Sequence, residues 1–311
     1  MTRRLITVGT RASPMAMAQA EQVAAVLDQL DSTVETRLVP MTTSGDRWTG
    51  ELATIGGKGA FVRELDRAQL AGEVTIAVHC LKDVPGDVAL PEGLTIAAYL
   101  PREDVHDAVV SRHGSSLDDL PADALVATSS PRRRAQLTAR WPHLRVTAVR
   151  GNTNTRLRKL DDGECDAMIL AVAGLHRIGQ AARITSVLPV EDMLPAVGAG
   201  TIVITARTGD TATAELVARL NHPPTALAAT AERAMLRALT GHCHSPIGGL
   251  AQVGPDHTVR LSGAVYSPDG AKRVTATEQG SATDAAALGR HVAQKLLAAG
   301  ARELIDSAAA R

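Results

Sequence analysis

The sequence predicts an α/β protein with a small α+β domain at its C-terminal end. Three observations predict it. Short apolar runs alternate with helix-patterned segments from residue 5 to residue 207, the rhythm of strands in a sheet covered by helices on both faces. The rhythm changes near residue 220, where one long helix is followed by three strand-like runs. The 311 residues, 45% of them apolar, exceed one ordinary core and suffice for two or three.

The elements follow in order. "LITVG" (5–9) reads as a buried strand. Ser13 is placed to cap an Ala-rich helix with Pro14 at its first position. "VETRLVP" (34–40) is a second strand. The stretch 41–59 has five glycines and no periodicity, which predicts a mobile loop. Residues 60–72 form a helix closed by Gly72, and "VTIAVHC" (74–80) is a buried strand cut off by "KDVPG". Strands at 95–100 and 106–111 flank "PRED". Then come the strand "LVATSS", the helix "PRRRAQLTAR", the strand "LRVTAVRG", the helix "NTNTRLRKLDDG" and "DAMILAVAGL", a strand running into a helix. A Gly-rich turn precedes a strand in 194–207. Beyond it lie a helix (224–239), strands near 250–254, 258–266 and 273–279, and a helix near 283–300. Such alternation predicts parallel sheets in the first two thirds.

Composition excludes several functions. Formal net charge is zero, so no global field draws the chain to nucleic acid or to a membrane surface. Five aromatic residues (Trp48, Phe61, Tyr99, Trp141, Tyr266) are too few for a base-stacking platform. No apolar run approaches the ~18 residues of a membrane span, and the apolar run near the N-terminus is too short for a signal segment. Three cysteines, Cys80, Cys165 and Cys243, do not make a disulfide framework, so a cytoplasmic location is expected.

The charge is concentrated locally. From Thr128 to Leu160 there are nine Lys/Arg and no Asp/Glu. A solvated helix face is the plain explanation of such a run. The positions argue for more. "ATSSPRR" and "VRGNTNTR" each end a strand and open a helix, where free N–H groups and the dipole favour an anion. Arg132, Arg133, Arg150 and Arg156 stand at those two strand ends, where ligands of open α/β sheets sit. Arginine favours forked grips on carboxylates or phosphates. "GGKGA" lacks the upstream glycine of a phosphate loop, so a ligand with several carboxylates suits the pattern better than a nucleotide.

Lys82 and Asp83 lie just past the buried strand 74–80. Asp83 is either a turn-forming residue or an ionised carboxylate able to stabilise a developing cation. His79 and Cys80 are adjacent in a strand and point to opposite faces, which argues against a nucleophilic pair. In "TGHCHSPIGG" (240–249), Cys243 sits between His242 and His244. It could ligate a metal, attack a substrate, pair in a disulfide, carry a group covalently or do nothing. No CxxC or HExxH accompanies it, so no metal site is expected.

Taken together, "TRASPMAMAQA", "GGKGAFVREL", "IAVHCLKDVP", "TSSPRRRAQL", "VRGNTNTRLRKL", "AVAGLHRIG", "LPAVGAG", "TAERAMLRAL" and "CHSPIG" resemble the hydroxymethylbilane synthase (porphobilinogen deaminase) family in order and spacing. The resemblance implies two periplasmic-binding-protein-like α/β domains with a cleft between them, residues 1–99 with 200–219 and residues 100–199, and a small α+β domain over 220–311. Hinges are expected at 100–104 and 194–200. It implies a dipyrromethane cofactor held by a thioether to Cys243. Asp83 is then the catalytic carboxylate. Lys82, Ser129, Arg132, Arg133, Arg150 and Arg156 would hold the cofactor, and Arg11, Ser13, Arg177, Lys58 and Phe61 the substrate, porphobilinogen. The implied reaction is the stepwise deaminative condensation of four porphobilinogens and release of a linear tetrapyrrole, by a monomer that uses neither metal nor nucleic acid.

The sequence departs from the family pattern near the site. Cys80 stands where serine is usual, Ala199 where glutamine is, and His242 and His244 where glycine and glutamine are. A divergent member with altered pyrrole chemistry would carry changes of this kind. A non-catalytic anion-binding module would instead bind reversibly and leave Cys243 unmodified. An RNA or DNA binder would show steep salt dependence.

Overall fold

A computed structural model describes residues 3–48, 59–114, 116–241 and 245–309. The chain divides into two compact units, one of residues 1–102 and 201–226, the other of residues 103–200 and 227–311.

The first unit is built on a five-stranded sheet in the order β2-β1-β3-β10-β4. Its strands are β1 (Arg4–Arg11), β2 (Val34–Met41), β3 (Ile76–Cys80), β4 (Leu94–Tyr99) and β10 (Ile202–Arg207). Ile6, Val8, Ile76, Val78, Ile202 and Ile204 are enclosed in its core, as expected for strands covered on both faces. Helix α1 (Pro14–Leu30) begins where the sequence places it. Ser13 is its cap, accepting from the Ala16 N–H at 3.4 Å. Helix α3 (Arg63–Leu70) starts three residues later than its pattern predicts. Gly59, at φ +76°, turns the chain there, and its carbonyl accepts from Val62 and Arg63.

Two expectations are corrected in this unit. The stretch 41–59 is not featureless, because Thr43 and Asp46 form a capping box around the short helix α2 (Ser44–Arg47). Residues 49–58 lie outside the described residues. The sheet is mixed rather than parallel, since β10 runs antiparallel to both β3 and β4. The chain leaves this unit after residue 102 and re-enters at 201, so no local βαβ crossover dictates the direction of β10.

The second unit holds two sheets. The first has the order β7-β6-β8-β5-β9, from β5 (Asp107–Ser111), β6 (Leu125–Ala127), β7 (Arg145–Thr147), β8 (Ala167–Ala171) and β9 (Ser186–Leu188). It too is mixed. β6 is parallel to β7 and β8, while β5 is antiparallel to β8 and β9. Helices α4 (Pro131–Arg140), α5 (Thr153–Asp161) and α6 (Val172–Arg177) follow β6, β7 and β8. The second sheet is an antiparallel meander, β11 (Ile247–Val253), β12 (Thr258–Tyr266) and β13 (Arg273–Ser281). Leu261, Val265, Val292 and Leu296 share a core with Met235 of α8 (Pro223–Ala238), beneath α9 (Ala285–Ala298). Besides α2, the sequence pattern misses α7 (Thr211–Ala218) in the first unit and β9 and α10 (Ala301–Ala309) in the second. β9 spans three residues, too short for an alternation to show. Gly300, at φ +98°, divides α9 from α10.

Candidate active site

Strands β2, β1 and β3 lie side by side and parallel, so their carboxyl ends share one edge, where ligands of α/β sheets bind. Arg11 is the last residue of β1. Asp46 lies in α2, after β2, and Asp83 ends a 3-10 turn, Leu81–Asp83, after β3. Leu81 is buried and its N–H donates to the Thr201 carbonyl, which ties down the turn that presents Lys82 and Asp83.

Arg11 organises this edge. Its Nε donates to Asp46 Oδ2 at 3.2 Å, and an Nη donates to Asp46 Oδ1. The other Nη lies 3.9 Å from Asp83 Oδ2. Phe61 lies beneath the guanidinium, 4.3 Å from its carbon to the ring centroid, a cation–π contact. Burial opposes the Arg11 charge. The hydrogen bond to Asp46 and the charges of Asp83 and Asp46 outweigh it and raise its pKa. Asp83 is a third exposed, its side chain at 32%, and Lys82 is half-buried. Ser13 serves as the cap of α1. Cys80 Sγ accepts from Nε2 of the buried Gln19 at 2.9 Å. Lys58 lies outside the described residues.

His79 faces the interior, 5% exposed, with its Nε2 3.4 Å from Thr205 Oγ1. Burial, assisted by the Arg11 charge, lowers its pKa from 6.5 to about 4. The folded protein therefore refuses a proton that the unfolded chain accepts. Stability from this source is complete above pH 6.5 and falls as pH drops from there to about 4, by up to about 3 kcal/mol. Urea unfolding of His79→Gln at pH 7.5 and 4.5 is expected to show a smaller loss between the two than the parent chain shows.

In the second unit β7, β6 and β8 again set parallel carboxyl ends together. Ser130 caps α4, Asn152 caps α5, and Gly151 makes the intervening turn at φ +110°. The Ser129 hydroxyl donates to the Val149 carbonyl and so joins the two loops. Arg132 is 5% exposed, donating to Asp107 Oδ2 at 2.7 Å and to the Leu194 carbonyl at 2.6 Å. Arg133 donates to Asp107 Oδ1 at 2.6 Å and to the Ile169 carbonyl at 2.9 Å.

Asp107 is therefore shared by two arginines. Burial opposes its ionisation, but the charges of Arg132 and Arg133 hold its pKa well below the usual carboxylate range. Arg156 donates to the Gly151 carbonyl at 2.8 Å. Burial, with the like charges of Arg133 and Arg150, lowers its pKa to about 10. Arg177 is 8% exposed at its side chain; it donates to Glu103 Oε1 at 3.0 Å and to the Gly200 carbonyl at 3.3 Å.

The structure brings Arg11, Phe61 and Asp83 together in the first unit, and Arg132 and Arg133 together in the second, with Arg156 near both Arg133 and Arg150. Arg177 pairs with Glu103. Two acids escape sequence reading, Asp46 and Asp107. Asp107 opens a strand antiparallel to β8 and pairs with Ala171 in register, which carries it to the edge where β8 ends. Only the strand direction reveals this.

The arginine cluster can be tested against a dipyrromethane bearing carboxylate side chains. Arg133 Nε is buried without a hydrogen-bond partner among the described residues. Arg156 has no carboxylate partner there, and its charge is opposed by two neighbours. Donors and charge are in surplus, so the residues fit a ligand with several carboxylates. Residues 242–244, with Cys243, lie outside the described residues. No helix among the described residues is long and apolar enough to cross a membrane.

Comparison with known proteins bears on the same residues. A family profile described as porphobilinogen deaminase, dipyromethane cofactor binding domain, matches residues 6–215, and one for the porphobilinogen deaminase C-terminal domain matches residues 226–298. Porphobilinogen deaminase 2 of Streptomyces coelicolor is 50% identical over 305 residues, 98% of this chain and 97% of that protein. Porphobilinogen deaminase of Laribacter hongkongensis is 48% identical over 303 residues, 97% of each. Among solved structures, the methionine-binding protein MetQ overlays with a TM-score of 0.44 at 15% identity, covering 70% of this chain and 89% of that one. With matched profiles spanning both compact units and relatives at half identity over nearly the whole length, the chain belongs to the porphobilinogen deaminase family.

Proposed function

We propose that this chain is a transferase that condenses four porphobilinogens, with loss of ammonia, into a linear tetrapyrrole built on a dipyrromethane attached at Cys243. The observation that carries the reading is the surplus of positive charge at Arg133 and Arg156: among the described residues, Arg133 Nε is buried without a hydrogen-bond partner and Arg156 pairs with no carboxylate. A pyrrole chain with acetate and propionate arms supplies the missing carboxylates. When bound, the dipyrromethane supplies the nucleophilic pyrrole carbon on which the chain grows.

The chain's own residues do the rest. Arg133, Arg150 and Arg156 grip carboxylates, with Ser129 fastening the two loops that carry them. Arg132, enclosed by Asp107 and Leu194, holds Asp107 in place for Arg133. Lys82 grips a carboxylate of the cofactor and Arg11 receives one of the incoming substrate, with Ser13 and Phe61 setting the backbone and the ring beside Arg11. As the substrate's aminomethyl C–N bond breaks, its electrons leave with nitrogen and positive charge spreads over the pyrrole ring and its N–H. Asp83 accepts from that N–H and stabilises the charge. Arg177 and Lys58 complete the substrate contacts in this reading. Its division of labour is by three domains: 1–99 with 200–219 for catalysis, 100–199 for carboxylate binding, and 220–311 for the anchor. The enzyme works as a cytoplasmic monomer, and elution at twice the chain mass would contradict the last point.

Incubation with porphobilinogen tests the reaction. One ammonia released per porphobilinogen consumed, with a linear tetrapyrrole product, is the expected result. Reversible binding without ammonia release would remove the catalytic reading.

A further inference from the structure

Helix α4 carries Arg132 and Arg133 in its first turn, and one turn later it carries Gln136, which is 4% exposed. A buried amide on a helix this rich in arginine needs partners. Gln136 Oε1 accepts from the Leu194 N–H at 2.8 Å and from the Tyr266 hydroxyl at 2.9 Å. Its Nε2 donates to the Leu194 carbonyl at 3.1 Å, the same carbonyl that Arg132 reaches at 2.6 Å. Tyr266 ends β12, is 5% exposed, and its N–H donates to the Pro246 carbonyl at 3.0 Å. Pro246 stands three residues after Cys243 in the chain. Tyr266 also packs with Ala135, Ala264 and Leu194. Nearby, Gly270 lies so close to the Ala135 carbonyl that any side chain there would collide with it.

One buried amide thus joins three pieces of the second unit: the arginine helix, the 194 segment and the strand that holds Pro246. We propose that Gln136 and Tyr266 are positioning residues for the attached cofactor, holding Pro246 and helix α4 in one register so that the Cys243 anchor and the arginines grip the same ligand. This rests on the proposed function. Neither residue needs to touch the ligand. Their effect is on how the held chain is aligned, where small displacements cost rate steeply.

The test uses the protein as purified, with Tyr266→Phe and Gln136→Leu. Each is treated with limiting porphobilinogen and read by intact mass and by steady-state kinetics. Tyr266→Phe removes one hydroxyl and leaves the amide bonded to Leu194, so it decides the matter if Gln136→Leu does not fold. Both variants are expected to carry the cofactor. Turnover should fall about tenfold while KM for porphobilinogen changes little, and partly extended chains should accumulate on the protein in greater proportion than in the parent. A purely structural role would lower activity in proportion to the folded fraction and leave the distribution of adduct masses unchanged. That result, or parental kinetics in Tyr266→Phe, overturns the proposal while leaving the proposed function standing. A parent chain that carries no adduct removes the proposed function, and this proposal with it.

Discussion

Asp83→Asn is expected to lower turnover of porphobilinogen by about 100- to 1000-fold while leaving unfolding by urea nearly unchanged. The two halves of this expectation have separate causes. An amide keeps the size and most contacts of the carboxylate but cannot balance positive charge on a pyrrole. Stability is spared because the Asp83 side chain is 32% exposed and its ion pair with Arg11 spans 3.9 Å, an interaction worth at most about 1 kcal/mol at such exposure. Turnover should be measured with the cofactor-bearing protein, so that loading and chemistry are not confused. A variant with full turnover would show that Asp83 is only a turn residue.

Asp107→Asn is expected to produce the largest loss of stability, about 3–5 kcal/mol. Asp107 is 4% exposed at its side chain, and the paired side chains of Arg132 and Arg133 are 6% and 11% exposed. Removing the carboxylate charge leaves two enclosed guanidiniums without their counter-ion. The sign with pH follows from the direction of the shift. The folded pKa of Asp107 lies below its ordinary value of 3.8, so its contribution is present above that value and is lost as pH falls through the folded one. Urea unfolding at neutral pH checks the magnitude. At acid pH the variant and the parent should converge, because the parent loses the same charge by protonation. Unchanged stability at neutral pH would mean that Asp107 does not carry the arginine pair.

The local parts of this site were legible because they depend on neighbours in the chain. The Ser13 cap and the run from Pro131 to Arg140 need only capping chemistry and helix pattern. Strand ends followed by arginines mark a carboxyl edge before any pairing is known. Strand direction was not legible. β10 and β5 run antiparallel in sheets otherwise written as strand–helix repeats. Their direction follows from where the chain enters each unit. Asp107 was hidden for that reason, since it reaches the arginines only because β5 runs opposite to β8. Asp46 was hidden by a glycine-rich stretch whose capping box spans four residues. Gln136 sits on a helix that reads as a solvated basic face, yet Tyr266, 130 residues away, covers it.

Intact mass of the protein as purified, beside Cys243→Ser, tests the central claim most directly. The account predicts a parent chain heavier by two porphobilinogen-derived pyrrole units and a variant at the bare chain mass. A parent chain at its bare mass, before and after incubation with porphobilinogen, would contradict it.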